Sequence, residues 1–293
     1  MSTPQGWRTG AAQVLWSSRP VSWINTAFPF GAAYLLAGGG IDVAWLVGVL
    51  YFLIPYNLLM YGINDVFDYE SDLRNPRKGG IEGAVLSNRW HRTTLWAAVG
   101  SNVPFLIFLA LVGDLAAAAV LTVSVFAVVA YSAPRLRFKE RPGLDSLTSA
   151  THFVSPAVYG IALADGAVTS SVVLALAAFF AWGAASQAFG AVQDITADRA
   201  GGLGSIATVF GARRTVRLAL VGYLLASVLL LPLGWPGWVC AALPLLYVAN
   251  VWPYRNLTDT ECERANAGWR RFLWLNMVAG FVVTQVMILA ALA

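Results

Sequence analysis

Apolar runs close to twenty residues long recur along almost the whole chain, and they leave few folds open. They lie near residues 20–38, 43–63, 93–112, 115–132, 146–164, 167–190, 215–233, 237–254 and 272–292. About 20 consecutive apolar residues in a helix span a hydrocarbon core of ~30 Å. Composition agrees, because 58% of the residues are hydrophobic and only 12% are charged, against about 25% charged in soluble domains. The expected fold is an all-α membrane bundle of nine transmembrane helices. It forms one domain over residues 1–293, with a first half at about 20–134 and a second at about 146–292. Pro29, Pro55, Pro104, Pro156 and Pro244 fall inside these runs, where neighbouring helices satisfy the backbone groups that proline frees.

Charge orients the bundle. The 19 Lys and Arg fall at the N-terminus or in the segments after the second, fourth, sixth and eighth runs, up to the first residues of the run that follows. The segments after the first, third, fifth and seventh runs hold only Asp42, Asp114 and Asp165. By the positive-inside rule the N-terminus and the even loops are cytoplasmic, and an odd helix count leaves the C-terminus outside. The net charge of +4 is then a matter of topology, and no nucleic-acid partner is expected. The first run begins near Pro20, shows no small-residue cleavage site and leads into further spans, which reads as an anchor and not a cleavable signal. Cys240 and Cys262 fall at opposite ends of the bundle and are expected to stay unbridged.

The second run ends in "YGINDVFDYESD", Tyr61 to Asp72, an acidic stretch at a membrane surface. A helix turns about 100° per residue. Counted round the axis from Asn64, Asn57 lies at about 20°, Asp68 at about 40°, Asp72 at about 80° and Asp65 at about 100°, whereas Glu70 points away at about 240°. One amide and three carboxylates thus share a face. Like charges about 6 Å apart repel by roughly 3 kcal/mol at an effective dielectric of about 20, and the negative end of the helix dipole adds to the cost. A divalent cation reverses both effects. Carboxylate and amide oxygens suit Mg²⁺, which fills its octahedron with water and substrate phosphate. A solvated acidic helix end is the bland alternative, and one occurrence does not decide between them.

The sixth run supplies a second occurrence in "ASQAFGAVQDITADRAGGLGSIATVFG". Asp194 and Asp198 are four apart and Gln187 is seven before Asp194, so a continuous helix puts all three on one face. Both acid faces follow even-numbered runs and meet the cytoplasmic side. Bases follow closely: "RNPRKGGIEGAVL" holds Arg74, Arg77 and Lys78 before Gly79 and Gly80, and "YSAPRLRFKERPGLD" holds Tyr131, Arg135, Arg137 and Lys139. Carboxylates that hold Mg²⁺ beside bases that hold phosphate point to a diphosphate-bearing substrate. No Walker loop occurs.

These residues resemble the UbiA superfamily of intramembrane prenyltransferases. Its first motif, NDxxDxxxD, is matched by Asn64, Asp65, Asp68 and Asp72, and its second by Asp194, Asp198, Gly202 and Ser205. Its YxxxK element after the fourth helix is matched by Tyr131, with Arg135 in the basic place. The likeness covers nearly the whole chain. Within that family, "SSRPVSWINTAFPFGAAYLL", "IPYNLLMYGINDVFDYESDLRNPRKGGIEGAVL", "AYSAPRLRFKERP" and "GAVQDITADR" look like the actinobacterial lycopene elongases.

The resemblance implies a Mg²⁺-dependent enzyme in a bacterial plasma membrane, with its site on the cytoplasmic side. The metal would be held by Asn64, Asp65, Asp68, Asp72, Asp194 and Asp198, with the four acids other than Asp72 as catalytic residues. Arg77, Lys78, Tyr131, Arg135, Lys139 and Gln187 would support the substrate. The implied donor is dimethylallyl diphosphate, and the implied acceptor is lycopene or another apolar isoprenoid entering from the lipid bilayer. Tyr56, Tyr61, Trp182 and Phe189 are candidate faces for an allyl cation, although aromatics in such helices mostly serve packing. Few polar residues lie within the runs, namely Asn25, Asn57, Asn102, His152, Gln187, Asn276 and Gln285. An apolar acceptor needs none of them. The alternatives are an aromatic or quinone-precursor acceptor, a Mg²⁺ or anion transporter, and a scaffold with a vestigial site. A transporter would need a polar ladder across the membrane.

Overall fold

The computed structural model describes residues 10–69 and 86–292. The helices among them are α1 (Gly10–Ser17), α2 (Ile24–Leu36), α3 (Val43–Leu53), α4 (Pro55–Phe67), α5 (His91–Val112) and α6 (Leu115–Ser132), followed by α7 (Leu144–Leu163), α8 (Ser170–Val192), α9 (Ile195–Ala200), α10 (Ile206–Leu230), α11 (Gly237–Val251) and α12 (Asn266–Leu292). Short 3₁₀ turns link several of them, and the described residues contain no strand.

By length and composition, six stretches can cross a membrane: Val43–Phe67, Asn88–Val112, Leu115–Ser132, Ser170–Val192, Ile206–Leu233 and Asp259–Ala290. The other three expected spans fall on α2, α7 and α11. Helices α2 and α11 have 13 and 15 residues, short of the ~20 a perpendicular span needs. Helix α7 has 20 residues, but Ser146, Thr148, Ser149, His152 and Ser155 are buried within it and lower its hydropathy. Large apolar side chains nevertheless face outward along the long helices, among them Leu111, Phe126, Val221, Trp274 and Phe281. Such a surface suits lipid and would be an association hazard in water.

The chain forms two compact units, Met1–Arg137 with Ser155–Ala167, and Phe138–Val154 with Val168–Ala293. The boundary passes through α7. The first unit is built on buried aromatics from α2, α3, α4 and α7. Phe52 lies 5.1 Å from both Phe30 and Tyr56 and 4.8 Å from Tyr51, ring centre to ring centre, and the Tyr159 hydroxyl donates to Leu109 O at 3.1 Å. In the second unit α8 packs along α10 through small residues. A Cβ on Gly222 would lie 2.8 Å from that of Ala185, so the backbones approach closely, as small residues allow in membrane helices. Trp269 and Phe272 stack at 4.7 Å beside them.

Local chemistry sets where these helices begin. Asp42 accepts from Trp45 N at 2.8 Å and caps α3; Asp114 accepts from Ala117 N at 2.8 Å and caps α6. The Trp45 N–H, then the Tyr34 hydroxyl, hold the Asp42 carboxyl below its ordinary range. These acids are helix caps as well as loop charges. The long second run breaks at Ile54–Pro55, where proline brings no N–H. The buried Asn57 amide donates to Phe52 O at 2.8 Å, Leu53 O at 3.1 Å and Thr26 Oγ1 at 2.7 Å. Asn57 therefore seals this break, while the unbroken α4 keeps it about two turns before Asn64 on the face expected for it.

Candidate active site

Helix α4 carries Asn64 and Asp65 and stops one residue short of Asp68. Asp68 is its C-cap, with φ −100° and ψ 1°, and its N–H still bonds to Asn64 O at 2.9 Å. The regular helix is thus shorter than the continuous one assumed from spacing, although Asn64, Asp65 and Asp68 do fall within one turn. Glu70, Asp72, Arg74, Arg77, Lys78, Gly79 and Gly80 lie outside the described residues.

Each of these three side chains has a partner from elsewhere in the first unit. Ser132, the last residue of α6, donates to Asn64 Oδ1 at 3.0 Å. Arg19 Nη2 donates to Asp65 Oδ1 at 3.1 Å, and the Asp65 side chain is fully buried. Arg137 Nη2 lies 3.5 Å from Asp68 Oδ1. The Arg19 guanidinium also sits 4.4 Å over the Tyr61 ring. Arg19, Arg135 and Arg137 have φ values of 49°, 73° and 40°, a backbone region costly for side-chain-bearing residues and common where a surrounding site holds them. The Leu136 and Arg137 N–H groups both bond back to Ala133 O, at 3.2 and 3.0 Å. This tight turn delivers Arg137 to Asp68.

Arg19 and Ser132 were not singled out from sequence, and Arg137 was noted only as one base in a loop. Of the bases expected to support substrate, Tyr131 is half-buried in the last turn of α6, Arg135 is exposed in the turn after it, and Lys139 belongs to the second unit. Tyr56 and Phe189 are fully buried core residues, and Trp182 is wedged at 5.8 Å from both Phe179 and Phe272. These three are packing residues. The Tyr61 face holds Arg19.

In the second unit the acid motif does not continue α8. That helix ends at Val192, Gln193 is its C-cap, and Asp194 opens the six-residue α9. Asp198 N bonds to Asp194 O at 2.8 Å, so the two acids do stand one turn apart on one side of α9. Gln187 belongs to the preceding helix, where its Oε1 accepts from Ser149 Oγ at 3.1 Å. The break decouples Gln187 from the acids it was expected to align with. Gly202, with φ 70°, closes α9: Leu203 N bonds to Asp198 O at 2.8 Å, the reverse turn that glycine permits at a helix end. Ser205 then caps α10, exchanging bonds with Thr208 at 2.8 and 3.2 Å. Buried Asp145, also not singled out, reaches from α7 to accept from Ile206 N at 2.7 Å.

The donor set fits Mg²⁺. It consists of hard oxygen atoms, two of them carried by Asp65 in a fully buried position and one by an amide that Ser132 orients, and Mg²⁺ takes few protein carboxylates. Among the described residues no three His, Cys, Asp or Glu side chains gather in one group; each described motif supplies two acids.

Comparison with known proteins gives a family. Residues 26–278 match the model of the UbiA prenyltransferase family. A lycopene elongase/hydratase of Corynebacterium glutamicum is 55% identical over 275 residues, covering 94% of this chain and 96% of that protein. A C(50) beta-cyclic carotenoids biosynthesis protein of a Dietzia species is 56% identical over 280 residues, covering 95% of this chain and 65% of the other. A UbiA homolog from Archaeoglobus fulgidus, solved bound to DMAPP and Mg²⁺, superposes with a TM-score of 0.66 at 17% identity over 91% of this chain and 98% of that one.

Proposed function

Since the chain belongs to the UbiA prenyltransferase family and is a membrane prenyltransferase, we propose that it transfers a dimethylallyl group from its diphosphate to the end of lycopene. Two kinds of observation support this reading. The first is the arrangement of Asn64, Asp65 and Asp68 beside the guanidinium groups of Arg19 and Arg137, where oxygen donors for a cation adjoin donors for phosphate. The second concerns the acceptor. Near-full-length relatives are named as lycopene elongase/hydratase, and a solved structure of the same fold holds DMAPP and Mg²⁺.

In this proposal Asn64, Asp65, Asp68, Asp72, Asp194 and Asp198 would hold Mg²⁺. When bound, it supplies Lewis-acid neutralisation of the departing diphosphate. Arg77, Lys78, Tyr131, Arg135 and Lys139 support the phosphate oxygens. The apolar helices exclude water, which would otherwise quench the allyl cation left when the allylic C–O bond breaks. The terminal double bond of lycopene attacks that cation. The tertiary cation formed then loses a proton or takes up water.

The acceptor class is supported by how the helices use their polar groups. Asn57 and Asn102 donate to main-chain carbonyls, Asn102 to Pro55 O at 2.7 Å. Gln187 accepts from Ser149, and Asn276 accepts from the Tyr247 hydroxyl at 2.9 Å. Four of the seven polar residues within the runs thus serve internal bonds, leaving little to recognise a carboxylate-bearing aromatic. We further propose nine spans in a bacterial plasma membrane, with the N-terminus and the acid motifs on the cytoplasmic side and the C-terminus outside, on the strength of the Lys and Arg distribution.

The test is direct. The purified protein is incubated with Mg²⁺, dimethylallyl diphosphate and lycopene, with hydroxybenzoate or dihydroxynaphthoate in parallel tubes. Products of lycopene mass plus one or two five-carbon units, with or without water, are expected. Prenylation of the aromatic acids alone would refute the acceptor.

A further inference from the structure

Helix α9 is held on one side and carries its acids on the other. Counted at about 100° per residue from Asp194, Asp198 lies at about 40°, whereas Arg199 and Thr196 lie at about 140° and about 200°; Gln193 stands at the break just before α9. Arg199 and Thr196 centre about 150° from the acids. Gln193, Thr196 and Arg199 all bond to the 3₁₀ segment Asp259–Ala265 or to the first residue of α12. Gln193 Oε1 accepts from Asn266 Nδ2 at 2.6 Å, and its main-chain oxygen accepts from Cys262 Sγ at 3.8 Å. Thr196 Oγ1 lies 3.2 Å from Cys262 Sγ and donates to Asp259 O at 3.5 Å. Arg199 Nη1 pairs with Asp259 Oδ2 at 2.7 Å, and its Nε and Nη2 donate to Thr208 O at 3.2 and 2.7 Å.

The segment that receives these bonds is anchored in turn. Asp259 Oδ1 accepts from Ala212 N at 2.7 Å, where α10 is broken at Gly211, φ 76° and ψ 165°. Cys262 and Ala265 are buried, and their neighbours bond mostly among themselves, Thr258 with Glu261 and Glu261 with Arg264. A six-residue helix has too few internal bonds to hold itself. Its position is therefore set by what it is fastened to.

We propose that Gln193, Thr196 and Arg199, fastened to Asn266, Cys262 and Asp259, are positioning residues that orient Asp194 and Asp198 toward the metal-bound diphosphate. This rests on the reading of those two acids as Mg²⁺ ligands. The Gln193–Asn266 bond is the central element, because Gln193 immediately precedes Asp194 and sits at the break between α8 and α9. Partners behind a ligand typically govern metal affinity by about 10- to 100-fold without touching the metal.

The test measures binding, not turnover. Mg²⁺ is titrated calorimetrically into the full chain in detergent, in the presence of dimethylallyl thiolodiphosphate, whose carbon–sulfur bond ionises slowly. Gln193→Ala and Asn266→Ala should each weaken Mg²⁺ about tenfold. The double variant should also be weaker by about tenfold and not a hundredfold, because both changes delete one bond. Ser227→Ala removes a buried bond between α10 and α11, from Ser227 Oγ to Ala241 O at 2.5 Å, and should leave the Mg²⁺ constant unchanged. Thr196→Val, an isosteric change at an exposed position, is the second probe should Asn266→Ala fold poorly; it should weaken Mg²⁺ by about tenfold. Folded variants that bind Mg²⁺ as the wild type does, or a double variant whose losses multiply, would overturn the proposal alone. Failure of the wild type to bind the diphosphate with Mg²⁺ would remove the functional reading and the proposal with it.

Discussion

Arg19 and Asp65, 46 residues apart in sequence, meet with Nη2 3.1 Å from Oδ1, and the carboxylate is fully buried. A buried charge is tolerable only beside an opposite one, and removing a single partner of such a pair costs several kcal/mol. Arg19→Ala should therefore destabilise the protein by about 3 kcal/mol, at the low end because the arginine side chain is 22% exposed. Adding Asp65→Asn should recover part of that loss while leaving the enzyme inactive. Thermal unfolding in detergent of the wild type, the two single variants and the double variant measures the coupling. Equal stability of Arg19→Ala and the double variant would show that the ion pair is not its source.

Asp68→Ala and Asp194→Ala should each lower turnover by at least a hundredfold, a loss of about 2.7 kcal/mol in transition-state stabilisation. Glu70→Ala, which helical counting along the sequence sets off the acid face, should stay within about threefold. Product mass at saturating donor and Mg²⁺ is the readout. A dead but folded Glu70→Ala enzyme would contradict the placement of the ligands.

Removal of divalent metal should abolish turnover, and Mg²⁺ or Mn²⁺ should restore it, since hard oxygen donors serve both. The same chelation should change the thermal midpoint of Asp68→Ala less than that of the wild type, because a ligand stabilises only the state that binds it. Full activity after exhaustive chelation would exclude a metal-assisted departure.

Asn57→Leu should destabilise without touching the chemistry. Its amide donates to Phe52 O, Leu53 O and Thr26 Oγ1 beside Pro55; Phe52 O keeps the Thr26 hydroxyl at 2.6 Å, and a buried acceptor left without a donor costs about 1–3 kcal/mol. The unfolding midpoint should fall, while the KM for the diphosphate in the surviving folded fraction stays the same. A KM rise as large as that of Asp68→Asn would give Asn57 a part in binding the diphosphate.

Gly211→Ala should be poorly tolerated. The residue has φ 76°, and an added Cβ would come within 2.9 Å of Asp259 Oδ1. Strain of this kind costs roughly 1–3 kcal/mol, and here it also pushes on the carboxylate that ties Arg199 to Ala212. Gly202→Asn should be milder than Gly202→Val, since Asn adopts positive φ more readily than a β-branched residue and open space surrounds that glycine. Unfolding midpoints of the three variants test the order.

The apolar runs by themselves determined the class of fold, because only helices about 20 residues long satisfy their own backbone groups in lipid. The spacing of Asn64, Asp65 and Asp68, and of Asp194 and Asp198, likewise put each acid group on one turn, because helical period is a local property. Tertiary structure decided the rest. The partners of Asn64, Asp65 and Asp68 are Ser132, Arg19 and Arg137, each far away in sequence, so no local pattern could assign them. Asn57 keeps the face it shares with Asn64 and uses its amide to seal carbonyls at Pro55, whereas the face expected for Gln187 was lost at the break before Asp194. The face expected for Gln187 presumed an unbroken helix. A helix breaks where other elements make the break cheaper than continuity, as Thr26 does beside Asn57 and as Asn266 and Cys262 do beside Gln193, and those elements are neighbours only in the folded chain.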